Sequence, residues 1–288
     1  MTIWNLGGIN ADYVYGVPHI PAPGETLDGE SREVFLGGKG ANMSVAAARA
    51  GAHVSHIGAV GPDGRWAVDR LMEYGVDTRA IAQIETETAH AFIMVAKDGE
   101  NAIMVYPGAN RAIPRENVKQ ALTHAKTGDW FITQNEVNLQ EDAARLAQDM
   151  GLKVGYAAAP FDADVTAKMV PNLDFLILNE VEATQLKSAT GQAPADLGIQ
   201  DVIVTLGGRG ATWFGAKGEI HVPAHAVTPV DTTGAGDTFT GYVLAGLDRG
   251  QPMLQAMNTA TKAAALMVTR RGTADVIPDL AEVQAFSG

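Results

Sequence analysis

Residues 230–241 read VDTTGAGDTFTG, two aspartates around a glycine-rich turn that runs directly into the apolar segment YVLAGL. Glycine adopts backbone conformations that other residues avoid, so Gly234 and Gly236, with Ala235 between them, can turn their N–H groups toward one point. At the start of a helix those groups are unpaired and the helix dipole adds positive potential, which makes the point an anion site. Asp237, in the first turn of that helix, would be repelled by the anion unless it has a task there. Phosphoryl transfer to an alcohol supplies one: donors stabilise the transferred group while a carboxylate accepts the hydroxyl proton. A lone aspartate in this position is also favoured by the dipole alone, so the rest of the chain has to decide.

A dinucleotide fold is excluded by spacing, because the third glycine of GxGxxG would fall at Phe239. A second glycine cluster, LGGKGAN at 36–42, is not a Walker A loop, since no Ser or Thr follows Lys39, and Met43 breaks the GxGxxG pattern. What remains is a tight turn with one lysine and one asparagine opening an Ala-rich helix over 41–50. Around these motifs apolar runs alternate with helical stretches. Strands are expected at 2–8, 54–60, 130–133, 153–157, 175–178 and 202–206, with helices such as 63–74 and one starting near Glu180 between them. That alternation predicts an α/β fold with a central, mostly parallel sheet flanked by helices and site residues at the carboxyl ends of its strands.

Two segments break the rhythm. Residues 13–36 mix β-type residues with prolines and glycines, and 90–106 form two apolar runs around KDGEN, a hairpin signature. Together they predict a small antiparallel sheet outside the main layer, either an edge decoration or a lid over a pocket.

Composition narrows the function classes. The chain has 288 residues and 46% hydrophobic content, ample for a buried core. Its formal charge of −12 argues against nucleic acid as a partner, so any phosphate must be bound by local geometry. With no cysteine there is neither a disulfide nor a thiolate nucleophile. The seven histidines make no HExxH, and His53/His56 and His221/His225 fall in strand-like segments, so no histidine metal site is expected. No long uncharged apolar run and no signal-peptide pattern is present, which leaves a non-membrane, cytoplasmic protein as the expectation.

GGKGAN near the N-terminus and DTTGAGDTF near the C-terminus resemble, in this order, the two signatures of the ribokinase family of carbohydrate kinases. The resemblance runs from residue 2 to residue 286 and implies one ribokinase-like three-layer kinase domain over 1–288, with a β lid formed by about 12–36 and 89–107. It implies ATP, Mg²⁺ and a monovalent cation, K⁺, as cofactors, and a homodimer made through the lid. Carried over residue by residue, it gives Asn10, Asp12, Gly38, Lys39, Asn42 and Glu136 to the sugar, Asp237 to the catalytic base, and Gly234, Ala235 and Gly236 to the anion hole. Asn179, Thr205, Gly207, Gly210 and Gly236 fall to the nucleotide, and Asn179 with Glu182, the NxxE motif, to the magnesium region. Asp231 and the backbones of Thr233, Arg270 and Gly272 fall to a monovalent cation. The acceptor it implies is D-ribose, phosphorylated at its primary hydroxyl; a ketohexose such as fructose, a sugar acid or a nucleoside are the alternatives, and a non-catalytic sugar sensor is the reading from another class. Tyr13, Tyr15, Phe92 and Tyr106 could serve an aromatic acceptor or a dimer partner. Three departures stand out: Ala157 replaces an asparagine in the segment AAAP, Val276 replaces a serine in the cation loop, and the connection from Asn179 to Val202 is short.

Overall fold

In the computed structural model, which describes residues 1–216 and 218–287, near-continuous apolar runs become parallel strands buried on both faces. The strands are β1 (Thr2–Leu6), β2 (Asn10–Val17), β3 (Ser31–Gly37), β4 (His53–Val60), β5 (Ile81–Gln83), β6 (Ala89–Ala96) and β7 (Asn101–Tyr106), followed by β8 (Trp130–Gln134), β9 (Lys153–Ala157), β10 (Phe175–Asn179), β11 (Asp201–Thr205), β12 (Ala211–Gly215) and β13 (Gly218–Val222). The helices are α1 (Lys39–Arg49), α2 (Arg65–Glu73), α3 (Arg115–Leu122), α4 (Gln140–Asp149), α5 (Ala163–Met169), α6 (Glu180–Thr190), α7 (Ala235–Asp248), α8 (Met253–Val268) and α9 (Leu280–Ala285).

The main sheet has the order β13-β12-β11-β10-β9-β8-β1-β4-β5. From β11 to β5 all neighbours are parallel, and β12 and β13 close one edge as an antiparallel hairpin. Side chains alternate strictly across it. Ile3, Ile132 and Ile177 enter the core beneath α1, α7 and α8, whereas Trp4, Phe131 and Leu176 enter the core beneath α3 to α6. The result is three layers with one core on each face. The chain leaves β1 for β4 on one side and later returns to β8 on the other, so the crevice between the carboxyl ends of β1 and β8 is the topological switch point, where ligands of such sheets bind.

The second sheet has the order β3-β2-β6-β7. Pairs β2/β3 and β6/β7 are antiparallel hairpin partners, while β2 runs parallel to β6 with Asp12 opposite Ala91. The parallel pairing joins two segments far apart in sequence, which local patterning does not report. On one face of this sheet Tyr13 stacks on Phe92, with His90, Tyr15 and Tyr106 packed around them.

Two contacts bring the signature motifs together. Helix α7 crosses α1 so closely that a Cβ on Gly241 would stand 2.5 Å from the Ala46 Cβ, so only glycine permits this approach. Helix α7 is also entered through Gly234 in the left-handed region at φ 78°. The amino ends of both helices thereby meet above the crevice.

Candidate active site

The loop after β1 leads into β2, which carries Asn10 and Asp12 on alternate positions. Both are almost fully buried. Asn10 is fixed by Asn110, whose Nδ2 donates to its Oδ1 at 2.8 Å while the Asn110 Oδ1 accepts from Ile9 N at 3.0 Å. Asn110, from the turn Gly108–Arg111, was absent from the sequence reading; the only cue was a second GAN triplet. Two residues past the end of β8 stands Glu136, whose Oε2 accepts from the Lys39 backbone N–H at 2.8 Å and so ties the α1 turn to the switch point. Asp237, in the first turn of α7, accepts from Asn42 Nδ2 at 2.9 Å. The Asn42 Oδ1 itself is buried without a donor.

Asp12, Glu136 and Asp237 thus lie within electrostatic reach of one another, and Lys39 lies within reach of Glu136 and Asp237. Burial, then the charges of Glu136 and Asp237, pushes the Asp12 carboxyl up to about 7. Burial also pushes Glu136 up to about 7, against the pull of Lys39. Lys39 is held above its ordinary value mainly by Asp237, with Glu136 and Glu182 adding to it. A polyhydroxylated ligand suits such a place, since its hydroxyls can give protons to carboxylates and to the unpartnered Asn42 oxygen.

Beside this crevice lies a cavity of about 440 Å³. Thr205, Gly207 and Gly210 at the end of β11 form one wall, and Ala235 and Gly236 at the start of α7 form its inner end. A Cβ on Gly236 would meet nothing within 4 Å, so the space over this amide is open. His225, Val227 and Phe239 and the α8 residues Thr261, Ala264 and Val268 complete the lining. None of these was picked out from sequence, because small apolar residues on a helix look like core; His225 lies beyond β13 rather than in a strand.

Asn179 and Glu182 cap α6 reciprocally: Asn179 Oδ1 accepts from Glu182 N at 2.9 Å, and Glu182 Oε2 accepts from Asn179 N at 2.7 Å. They stand outside the cavity lining, with Glu182 in electrostatic reach of Lys39 and Asp237. Burial raises the Glu182 pKa. Its second oxygen is a hard donor of the kind Mg²⁺ accepts, and no group of three His, Cys, Asp or Glu side chains able to hold a metal exists among the described residues. The set therefore fits an ion held by one carboxylate, water and phosphate rather than by a protein cage.

Asp231 bridges two loops, accepting from Thr233 N at 2.9 Å and from Gly272 N at 3.3 Å. Arg270 turns its guanidinium away, to Val276 O and Glu282, leaving only its backbone for the loop. Val276 packs against Gly272. Ala157 ends β9 in the core and offers no polar group.

The chain belongs to the pfkB family of carbohydrate kinases, which it matches over residues 5–280. Among its relatives is a ribokinase of Haemophilus influenzae, 36% identical over 99% of this chain and 98% of the relative. The fold superposes on a ribokinase of Thermotoga maritima with a TM-score of 0.89 at 29% identity, covering 99% of this chain and 98% of that one. A ribokinase of Cryptococcus neoformans in complex with ADP gives a TM-score of 0.82 at 31% identity, covering 98% of both chains.

Proposed function

We propose that this chain is an ATP-dependent sugar kinase that phosphorylates the primary hydroxyl of D-ribose. One observation carries the reading: Asp237 stands where the polar crevice meets the open cavity, oriented by Asn42, with the Gly236 amide beside it. Asn10, Asp12, Glu136 and the unpartnered Asn42 oxygen offer acceptors for a small sugar, and three relatives 35–36% identical to the chain are ribokinases.

With the acceptor hydroxyl against Asp237, its proton passes to the carboxylate as the oxygen attacks the γ-phosphorus of ATP, the bond from that phosphorus to the β,γ-bridging oxygen breaks, and ADP leaves. The amides of Gly234 to Gly236 and the Lys39 ammonium face the negative charge on the transferring group, so catalysis is positioning and electrostatics. Bound near Glu182 and Asn179, Mg²⁺ would neutralise phosphate charge. Asp231 and the backbones of Thr233, Arg270 and Gly272 would hold a monovalent cation that stiffens the turn before α7.

The second sheet, β3-β2-β6-β7, serves as a lid that excludes water from the closed crevice. Its strand β7 leaves Ile103, Met104, Val105 and Tyr106 exposed on an unpaired edge, which supports a homodimer formed through the lids. A need for ATP is consistent with the cytoplasmic location expected from the sequence. Coupled ADP release with D-ribose, fructose, 2-keto-3-deoxygluconate and adenosine tests the assignment: ribose is expected to give the highest kcat/KM, and ADP release with none of them would overturn it.

A further inference from the structure

Beneath the sugar crevice lies a buried polar assembly that the phosphoryl-transfer scheme does not use. Gln134 Nε2 in β8 donates to Asn5 Oδ1 in β1 at 2.7 Å. Asn5 Nδ2 donates to Gly40 O and to Ser44 Oγ, each at 2.8 Å. Ser44 Oγ and His56 Nδ1 are 2.8 Å apart, and His56 Nε2 is 3.0 Å from Gly7 O. The direction of this chain is fixed at its far end. A carbonyl only accepts, so His56 carries its proton on Nε2, its Nδ1 is an acceptor, and Ser44 must give it the hydroxyl proton while accepting from Asn5. Burial holds the imidazole neutral by pushing its pKa down to about 4.

All four side chains are essentially inaccessible. Apolar side chains of the same volume would fill this space without desolvating polar groups, and such replacements are often neutral or stabilising. Packing therefore does not explain the polar set, whereas its connections do. Gly7 opens the loop that carries Asn10 and Asp12, and Gly40 lies between Lys39 and Asn42 in α1. Gln134 precedes Glu136 by two residues, and Ser44 follows Asn42 by two. At the centre the two backbones touch, so that a Cβ on Gly40 would fall 2.4 Å from Gly7 Cα. One relay thus ties together the segments that bring polar groups to the crevice.

We propose that Gln134, Asn5, Ser44 and His56 are positioning residues for the sugar acceptor, holding the Gly7 and Gly40 backbones in register so that Asn10, Asp12, Asn42 and Glu136 are presented as one preformed set. The inference rests on the sugar-kinase reading for its kinetic arm alone. The test compares wild type with Ser44→Ala and with the apolar quadruple variant Asn5→Val/Ser44→Ala/His56→Phe/Gln134→Leu, which replaces all four relay side chains by packing, leaves no buried amide unpaired, and so separates positioning from stability. Hydrogen–deuterium exchange of residues 7–10 and 39–42 is expected to quicken by about tenfold or more in both variants, with the strands of the β10–β13 half unchanged. KM for D-ribose is expected to rise about tenfold while KM for ATP stays within about twofold, the split that a loss of preorganised acceptor binding gives. Wild-type exchange in a folded quadruple variant, or a ribose KM that does not move, overturns the proposal. Absence of ribose-dependent ADP release in the wild type would instead strike the sugar-kinase reading, and the exchange comparison would still decide the relay.

Discussion

Replacing Asp237 by asparagine isolates its proposed role as proton acceptor from the shape around it. The Asn42 Nδ2 donates to Asp237 Oδ2 at 2.9 Å, and an amide oxygen at the same place still accepts that bond, though more weakly than a carboxylate, so the packing of α1 on α7 survives. What disappears is a basic oxygen and a negative charge, the charge that does most to hold the Lys39 ammonium protonated. General-base catalysis is worth about 100- to 10,000-fold, so kcat should fall by that factor. At 1.36 kcal/mol per tenfold this is roughly 3–5 kcal/mol of transition-state stabilisation. Asn10, Asp12 and Glu136 are untouched, so the Kd for D-ribose should stay within about threefold, as for an interaction made only in the transition state. Steady-state ADP release at saturating ribose and ATP measures the first quantity, and calorimetric titration with ribose the second. A variant with kcat within about tenfold of wild type would refute the base assignment.

Glycine substitutions should split by where a Cβ would point. Gly236→Ala faces open space, so its thermal midpoint should match wild type while kcat/KM for ATP falls at least about tenfold through the lost donor approach; Gly241→Ala, pressed on Ala46 and Met43 O, should cost about 1–3 kcal/mol in denaturant unfolding, as overpacking does. Asn179→Ala breaks one half of the α6 capping box and should lower stability by about 0.5–2 kcal/mol, read from the same unfolding curves. The pH dependence has a definite sign. Asp12 and Glu136 bind protons more tightly folded, at about 7, than at their ordinary 3.8 and 4.5, so the stability they lend is complete below about pH 4 and lost as pH rises through about 7. The ligand-free thermal midpoint should therefore fall over that window, and the double variant Asp12→Asn/Glu136→Gln should remove most of the slope. Met104→Glu on the exposed lid edge should convert a dimer to monomer in light scattering, and an unchanged mass would count against lid-to-lid association.

Much of the architecture was legible because parallel strands buried on both faces leave unbroken apolar runs such as WFIT and FLIL, separated by helix-length intervals. Helix α6 announced itself through Asn179 and Glu182, a spacing that folds locally into a capping box. The three-residue strand β5 carries no periodicity, and of the β12–β13 hairpin only the segment around His221 reads as a strand. The pairing of β2 with β6 is a long-range event that neither segment encodes alone. At the site the glycine-rich turns were legible because their function is local, a helix amino end with an aspartate in its first turn. Asn110 and the relay of Asn5, Ser44, His56 and Gln134 were not, since each is one polar residue in an apolar stretch, and only the sheet order brings β1, β4 and β8 beside α1. The α8 wall of the cavity was hidden for the opposite reason: its alanines serve the core on one side and face the cavity on the other.

The most direct test of the central claim is the ³¹P spectrum of the product formed from D-ribose and MgATP by the wild-type enzyme. Transfer to the primary hydroxyl predicts a new phosphomonoester signal, split by the two protons of one CH₂ group, that grows in step with ADP. A signal split by a single proton would place the phosphate on a ring carbon, and ADP accumulating with inorganic phosphate alone would mean that water is the acceptor; either would contradict the account.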